Sequence, residues 1–370
     1  MTSTTSATGR DAVSALVSDG RRRAGTLLIR SASFVFAALT LLQTLFYTGV
    51  IPLGFATWLP ILIAFALWGA ALCTGNILRH GEAGWRALFV LPAILFTLAL
   101  VVFPTLFGFY LAFTDWNLSS ATGRQFNGFD NFRQMWADPY FWNALGNMVF
   151  YVATVLVQYA IAFGLALLLN ADIRGRKFFR VAFLLPFMLS PVAVGWMIGK
   201  SMFEYRFGPV TRLLRWLGWD EPTLLTTPWL AKTTIAMMDA WVWIPFMMIL
   251  LLAGLQALPK EVQEAAKVDG ATGWQSFKQI TFPLMLPVSV TAIILRIIFQ
   301  LKLADIVITT TSGGPGGATD TVSSFIFREY KDRSNVGYGT AMAEVYLILI
   351  IIFVSLLLWS TSKWMQRPGT

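Results

Sequence analysis

Apolar residues in this chain gather into eight runs of bilayer length, at 31–51, 56–75, 87–113, 144–169, 181–203, 229–255, 284–304 and 340–361. Each approaches the ~20 residues that a helix needs to cross a hydrocarbon core. Polar segments separate the runs, so the pattern predicts an all-α polytopic membrane protein with about eight transmembrane helices. An even number of crossings puts both termini on one side, and the basic residues decide which. One set of segments holds sixteen Lys and Arg: Arg10, Arg21, Arg22, Arg23, Arg30, Arg79, Arg86, Arg174, Arg176, Lys177, Arg180, Lys260, Lys267, Lys278, Lys363 and Arg367. The alternate set holds eight, within Arg124–Arg133, Arg206–Arg215 and Arg328–Arg333, balanced by carboxylates such as Asp115, Asp130, Asp138, Asp320, Glu329 and Asp332. The excess assigns the first set, both termini included, to the cytoplasm.

Prolines interrupt four of the runs: Pro92 and Pro104, Pro186 and Pro191, Pro245, and Pro287. Each removes a backbone hydrogen bond, which lipid tolerates only where neighbouring helices or a water-lined cavity satisfy the freed group. Leu185 to Trp196 is the most disrupted stretch, and it reads either as part of a transport site or as a structural kink. Val210, Leu213, Leu214 and Leu217 share one helical face, predicting a short helix lying on the external membrane surface. Arg174 to Arg180 reads as a positive-inside anchor.

Composition agrees with this picture. Of 370 residues, 56% are hydrophobic and 13% charged, with a mean hydropathy of +0.64. The net charge of +9 follows from the loop asymmetry, so it reports topology and no nucleic-acid partner. One Cys (Cys73) and one His (His80) exclude disulfide frameworks and zinc or iron sites. Residues 1–30, rich in Ser, Thr, Ala and Gly before Arg21–Arg23, read as a disordered cytoplasmic tail and not as a cleaved signal peptide. The remaining divisions are 31–85 for two N-terminal helices, 86–363 for a transmembrane domain containing a cytoplasmic loop at 256–283, and 364–370 for a C-terminal tail.

That loop carries the most specific motif. Glu264 to Val268 are helix formers, Ala265 and Ala266 offer a flat patch for a partner, and Gly270 can end the turn. Trp274 and Phe277 then give a second short helix an apolar face toward the bilayer before Pro283. The spacing resembles the EAA loop of ABC importer permeases, matching at Glu264, Ala265, Ala266, Asp269, Gly270, Ile280 and Pro283, with Phe282 where the family usually has Leu. From Phe89 onward, roughly three quarters of the chain resembles the carbohydrate-uptake subfamily in its maltose-type "F" branch. Further stretches carry the likeness: Phe113-Thr114-Asp115-Trp116, Gly128-Phe129-Asp130-Asn131-Phe132, Asn143 to Asn147, Arg180 to Pro191, Gly313-Gly314-Pro315 and Gly337 to Ala341. Thr114 to Trp142 is too short for the large external domain of the maltose-type subunit.

The resemblance implies a six-helix type I importer core behind two extra N-terminal helices, in a bacterial inner membrane. It also implies a second permease subunit, two copies of a nucleotide-binding ATPase, an extracytoplasmic solute-binding protein, and a sugar or polyol substrate. ATP and Mg would be held by the partner ATPase, and this chain, a transport subunit and no enzyme, has no cofactor; no G-x-x-x-x-G-K-[ST] occurs in it. Gly313, Gly314 and Pro315 read either as a connector or as a docking loop for the binding protein. Tyr151, Gln158, Trp196, Asp239, Trp241, Trp243, Gln300, Glu344 and Tyr346 are the candidates for the solute path, because polar and aromatic groups at membrane depth are costly unless they face protein or water. Arg296, Lys302 and Asp305 read as a separate cluster near the end of the seventh span, paired or snorkelling. The competing function is an ATP-independent secondary transporter or channel that couples Asp239 and Glu344 to an ion gradient. A membrane-embedded transferase or hydrolase would need paired catalytic groups, and no such motif is visible.

Overall fold

A computed structural model describes residues 18–47, 50–121 and 123–365. It is helical throughout, and among the described residues the only bridges are Thr114 with Phe126 and Asn117 with Asn335. Seven helices are long and apolar enough to cross a membrane, and a sharply bent pair makes an eighth if it counts as one span. The chain divides into two compact units, residues 1–107 and 108–370.

The first unit holds α1 (Asp19–Tyr47), α2 (Leu59–His80) and α3 (Trp85–Thr97). Gly25 and Gly75 let α1 and α2 approach closely, because a Cβ at Gly25 would press on the Gly75 carbonyl. Trp68 Nε1 donates to Ser33 Oγ at 2.9 Å, and its ring stacks on Phe36. The buried Gln43 amide both donates to and accepts from the Phe55 backbone, closing the α1–α2 turn. Here the expected tail is corrected: residues 19–30 are helical. Asp19 sits in the first turn, where the helix dipole favours an acid, and the Gly25 contact with α2 supplies packing that a polar segment cannot supply alone. Residues 1–17 and 366–370 lie outside the described residues.

A π turn at Leu98–Val102 carries α3 into α4 (Phe103–Leu111), just before Pro104, whose missing N–H leaves the ladder one donor short. Next come α5 (Asp130–Ala137) and α6 (Pro139–Asn170), the latter capped by Asp138 Oδ1 accepting from Tyr140 N at 2.8 Å. Then α7 (Arg176–Leu184) and a 3-10 turn at Pro186–Met188 meet α8 (Pro191–Val194), which continues as a π turn over Gly195–Met202. The remaining helices are α9 (Pro209–Trp216), α10 (Pro228–Gln256), α11 (Lys260–Val268), α12 (Gly273–Ser276), α13 (Phe282–Gln300), α14 (Asp305–Thr310), α15 (Val322–Lys331) and α16 (Val336–Met365).

The core of the second unit is α6 against α10 and α13. Ala162 and Ala166 are fully buried and bring α6 onto Met247, Met248 and Leu251 of α10. Small residues at such crossings let backbones approach where lipid supplies no hydrophobic drive. Two proline expectations are corrected. Pro245 and Pro287 lie inside continuous helices, because losing one hydrogen bond inside a packed bundle does not break a helix. The fifth run does break, by 91° between Arg176–Met188 and Pro191–Met202. Pro191 disfavours the helical region for the residue before it, and here Ser190 sits at ψ 135°. The second arm is then held by Gly195 and Gly199, four apart, which press on Thr309 and Thr310 of α14.

Candidate functional site

Three places in the second unit gather the chemistry: one polar cluster within the spans, and one loop system at each end of the bundle.

At one end, α11 carries Glu264 and Ala265 exposed, whereas Ala266 is buried. The flat patch expected of both alanines therefore belongs to Ala265, and Ala266 packs inward. The helix stops at a Schellman motif: Gly270 N donates to Lys267 O at 3.1 Å and Ala271 N to Ala266 O at 3.0 Å. Gly270 takes φ +77°, which glycine alone adopts without strain, and Asp269 is the exposed cap residue before it. Thr272 and Gln275 close a capping box that starts the next turn at once. Phe277 anchors that turn on Phe163 of α6 and on Phe282, while Trp274 stacks on Phe277 yet stays 71% exposed. Ile280 is half-buried in the π turn Phe277–Thr281, and Pro283 opens α13. The loop is thus a rigid two-helix projection fixed to the bundle. Nearby, with its amide oxygen turned toward the guanidinium groups, Gln256 at the end of α10 accepts from Arg176 at 2.8 Å and from Arg180. The basic segment is thereby fastened to the base of the same projection.

Within the spans, Asp239 of α10 pairs with Arg296 of α13, and both are buried. Gln158 of α6 joins them: its Nε2 donates to Asp239 Oδ2 at 3.2 Å and its Oε1 accepts from Arg296 Nε at 2.9 Å. Three helices therefore meet at one ion pair. The Arg296 guanidinium lies 5.0 Å from the Trp243 ring centroid, and Trp243 stacks on Phe299 and abuts Phe187 at the bend of the fifth run. The Arg296 expectation is corrected here, since it is neither snorkelling nor paired with the exposed Lys302 and Asp305. A charge in hydrocarbon is tolerated when an opposite charge and hydrogen bonds meet it, and Asp239 supplies both. One cation and one anion isolated in separate apolar helices were the signal in the sequence that points to this pair.

Around this node, the buried Gln300 amide sits against the Asp239 carboxylate, and Nη1 of Arg296 is buried without a hydrogen-bond partner. Tyr151 is buried and donates to Thr319 O at 3.3 Å, and Tyr346 donates to Leu301 O at 2.7 Å. Glu344 is buried beside Gly108. Trp196 and Trp241 point the other way: they are 55% and 43% exposed, Trp196 with Lys200 Nζ 4.9 Å from its ring. The nine candidates thus divide into an inward set tied to the bundle, a half-buried Trp243, and an outward aromatic pair.

At the opposite end, Ser312, Gly313, Gly316 and Gly317 all have positive φ, and the Gly314–Pro315 bond is cis. Asn143 Nδ2 and Asn147 Nδ2 donate to Gly317 O at 2.7 and 3.0 Å, and Thr319 Oγ1 donates to Gly314 O at 2.8 Å. A Cβ at Gly313 would collide with the Asp320 carboxylate. Asp320 in turn pairs with Arg328 and accepts from Ser324 Oγ at 3.0 Å. Burial pushes the Asp320 carboxyl above its ordinary range, and Arg328 only partly offsets this. The loop is therefore a built structure.

A multi-pass helical bundle with a rigid two-helix projection and a buried polar node defines a membrane transport subunit. The family model of the binding-protein-dependent transport system inner membrane component matches residues 139–366, and the chain belongs to that family. The trehalose/maltose transport system permease protein MalF of Thermococcus litoralis is 32% identical over 277 residues, covering 75% of this chain and 93% of that one. The sulfoquinovosyl glycerol transport system permease protein SmoG of Agrobacterium fabrum is 34% identical over 275 residues, covering 73% and 89%. A crystal structure of a bacterial ABC transporter that imports the acidic polysaccharide alginate shares the fold, with a TM-score of 0.66 at 23% identity, over 76% of this chain and 96% of that one.

Proposed function

We propose that this chain is one permease subunit of an ATP-driven, binding-protein-dependent importer of a sugar or sugar-like solute. The observation that carries the reading is the family match over 139–366, supported by relatives named for trehalose or maltose and for sulfoquinovosyl glycerol. In this reading both termini and the α11–α12 projection are cytoplasmic, and the Gly313–Gly317 loop faces outward. The projection seats in an ATPase subunit: Glu264 and Ala265 are exposed on α11, and the Gly270 cap holds the angle to α12. A rigid projection transmits movement of its socket to the spans, because Phe277 joins it to α6.

The solute passes along the face bearing Trp196 and Trp241, where aromatic rings can stack on sugar rings. ATP and Mg belong to the partner ATPase. The test is uptake of labelled sugar into proteoliposomes holding both permeases, the ATPase and the binding protein. Uptake is expected only with ATP, and Glu264→Lys and Gly270→Val are expected to abolish it while membrane abundance is kept. ATP-independent uptake driven by an ion gradient would favour a secondary transporter instead.

A further inference from the structure

Between α1, α2 and the α3–α4 segment lies a slot of about 490 Å³ whose walls include Phe36, Thr40, Ile61, Phe65, Ala99 and Val102. Both of its ends are built. At one, a Cβ on Gly69 would collide with the Leu95 side chain, so α2 and α3 touch there. At the other, the Trp58 and Phe103 rings meet edge to face at 6.3 Å. The π turn Leu98–Val102 runs between these contacts, and its Leu98, Ala99 and Val102 line the slot. Such turns are frequent at functional sites. The polar groups of the walls are satisfied elsewhere: Thr40 Oγ1 donates to Phe36 O at 2.8 Å, and Trp68 Nε1 donates to Ser33 Oγ at 2.9 Å. Water and sugar hydroxyls would therefore find no partner along its length, and an apolar cavity of this kind takes apolar molecules.

We propose that this slot holds one acyl chain of a membrane phospholipid. Its dimensions select the occupant. Trp58 and Trp68 bound it along α2, and at 1.5 Å per residue they are ~15 Å apart, half of a ~30 Å hydrocarbon core. A volume of about 490 Å³ over that length leaves a cross-section of ~33 Å², whereas a helix ~10–12 Å across needs ~80–110 Å². A span of another subunit is therefore too wide, and a single extended chain is not. Capacity agrees: a cavity of ~150 Å³ takes one six-carbon ring, so this one takes ~20 carbons. Leu62, Phe103 and Leu106 are exposed along the open side, which gives a chain lateral entry from the bilayer. At one end Trp58 stacks on Tyr47, an aromatic pairing suited to headgroup level. In the topology proposed above that end is external, so the lipid belongs to the outer leaflet. Only the choice of leaflet rests on that reading.

The test assembles the complete transporter in membranes containing a phospholipid with a diazirine midway along one acyl chain, then extracts it in detergent, washes it and irradiates it. Lipid that merely surrounds the protein exchanges for detergent, so label is expected to remain concentrated on residues 61–68 and 98–107. Ala99→Phe and Thr40→Phe each put a ring into the slot from a different wall, and both are expected to lower that label about tenfold, or about 1.4 kcal/mol. Ala66→Phe adds the same ring to α2 at an exposed position outside the slot, and is expected to leave the label unchanged. An equal loss in Ala66→Phe would reduce the effect to crowding of α2 and overturn the site. Wild-type label spread evenly over exposed apolar segments, such as residues 351–359 of α16, would mean surrounding lipid only and would also overturn it, a result that needs no variant to fold. So would full label in both filling variants at normal abundance. Label found only when the chain is purified without its partner permease would make that subunit the occupant and overturn the site as well. None of these measurements uses ATP or solute, so loss of the lipid site and failure of the importer reading are separate results.

Discussion

The Asp239–Arg296 pair gives the sharpest test of the fold. Substituting Asp239 by Leu leaves the Arg296 guanidinium buried with only Gln158 and the Trp243 ring as partners. Breaking one side of a buried ion pair costs ~3–5 kcal/mol. Inserting an unpaired Arg or Asp at a helix centre costs ~2.5–3.5 kcal/mol on insertion scales. Two routes therefore agree on about 3 kcal/mol for either single variant. Asp239→Leu with Arg296→Met removes both charges at similar volume, and such replacements are typically neutral or stabilising. The single variants should lower the thermal unfolding midpoint of the purified permease complex markedly, and the double variant should restore most of it. Costs below ~1 kcal/mol for both singles, or a double variant as unstable as the sum of the two, would refute the account of a mutually neutralising pair. Measuring uptake in parallel separates roles. Stability restored without transport assigns the charges to the solute path, and stability restored with transport assigns them to packing.

Three further outcomes are expected. Gly195→Leu should cripple folding of the bent fifth segment, seen as loss of membrane abundance, because its side chain would occupy the space of Thr309; normal abundance would show that α14 can retreat. In a background with Cys73→Ala, cysteines at Ala121 and Gly270 should label from opposite faces, and labelling of both from outside would overturn the topology. Burial raises the carboxyls of both Asp320 and Glu329, so the folded chain binds more protons than the unfolded one between their ordinary and raised values. The sign is that stability of the glycine loop falls as pH rises through that window, so amide protection factors across Gly313–Thr321, corrected for the intrinsic exchange rate at each pH, should be higher in mild acid than at neutral pH.

Much of this protein was legible along the chain. Seven crossing helices follow from apolar length alone, because in lipid a run near 20 residues has few alternatives to a helix. The α11–α12 projection follows from local signals: helix formers to Val268, a glycine at 270 that permits positive φ, and Thr272 with Gln275 for the next cap. Those interactions join residues three to five apart, so sequence proximity suffices to state them. The central node is of another kind. Gln158, Asp239 and Arg296 lie 138 positions apart at the extremes, and each had a credible local role: an isolated path residue for Asp239, a snorkelling cation for Arg296. Only the packing of α6 against α10 and α13, set by buried alanines and methionines, brings them into one pair and decides that Arg296 faces inward. The prolines divide for the same reason. At Pro191 the disfavoured helical state of Ser190 is given up and the segment bends, whereas the packed bundle around Pro245 and Pro287 keeps their neighbours helical and absorbs the single bonds lost there. Residues 19–30 look like tail in isolation and become helix once Gly25 meets α2. The sequence alone determined what obeys bilayer length, loop charge and near-neighbour capping. Tertiary structure decided which distant polar groups compensate one another, because that depends on which helix faces are buried together.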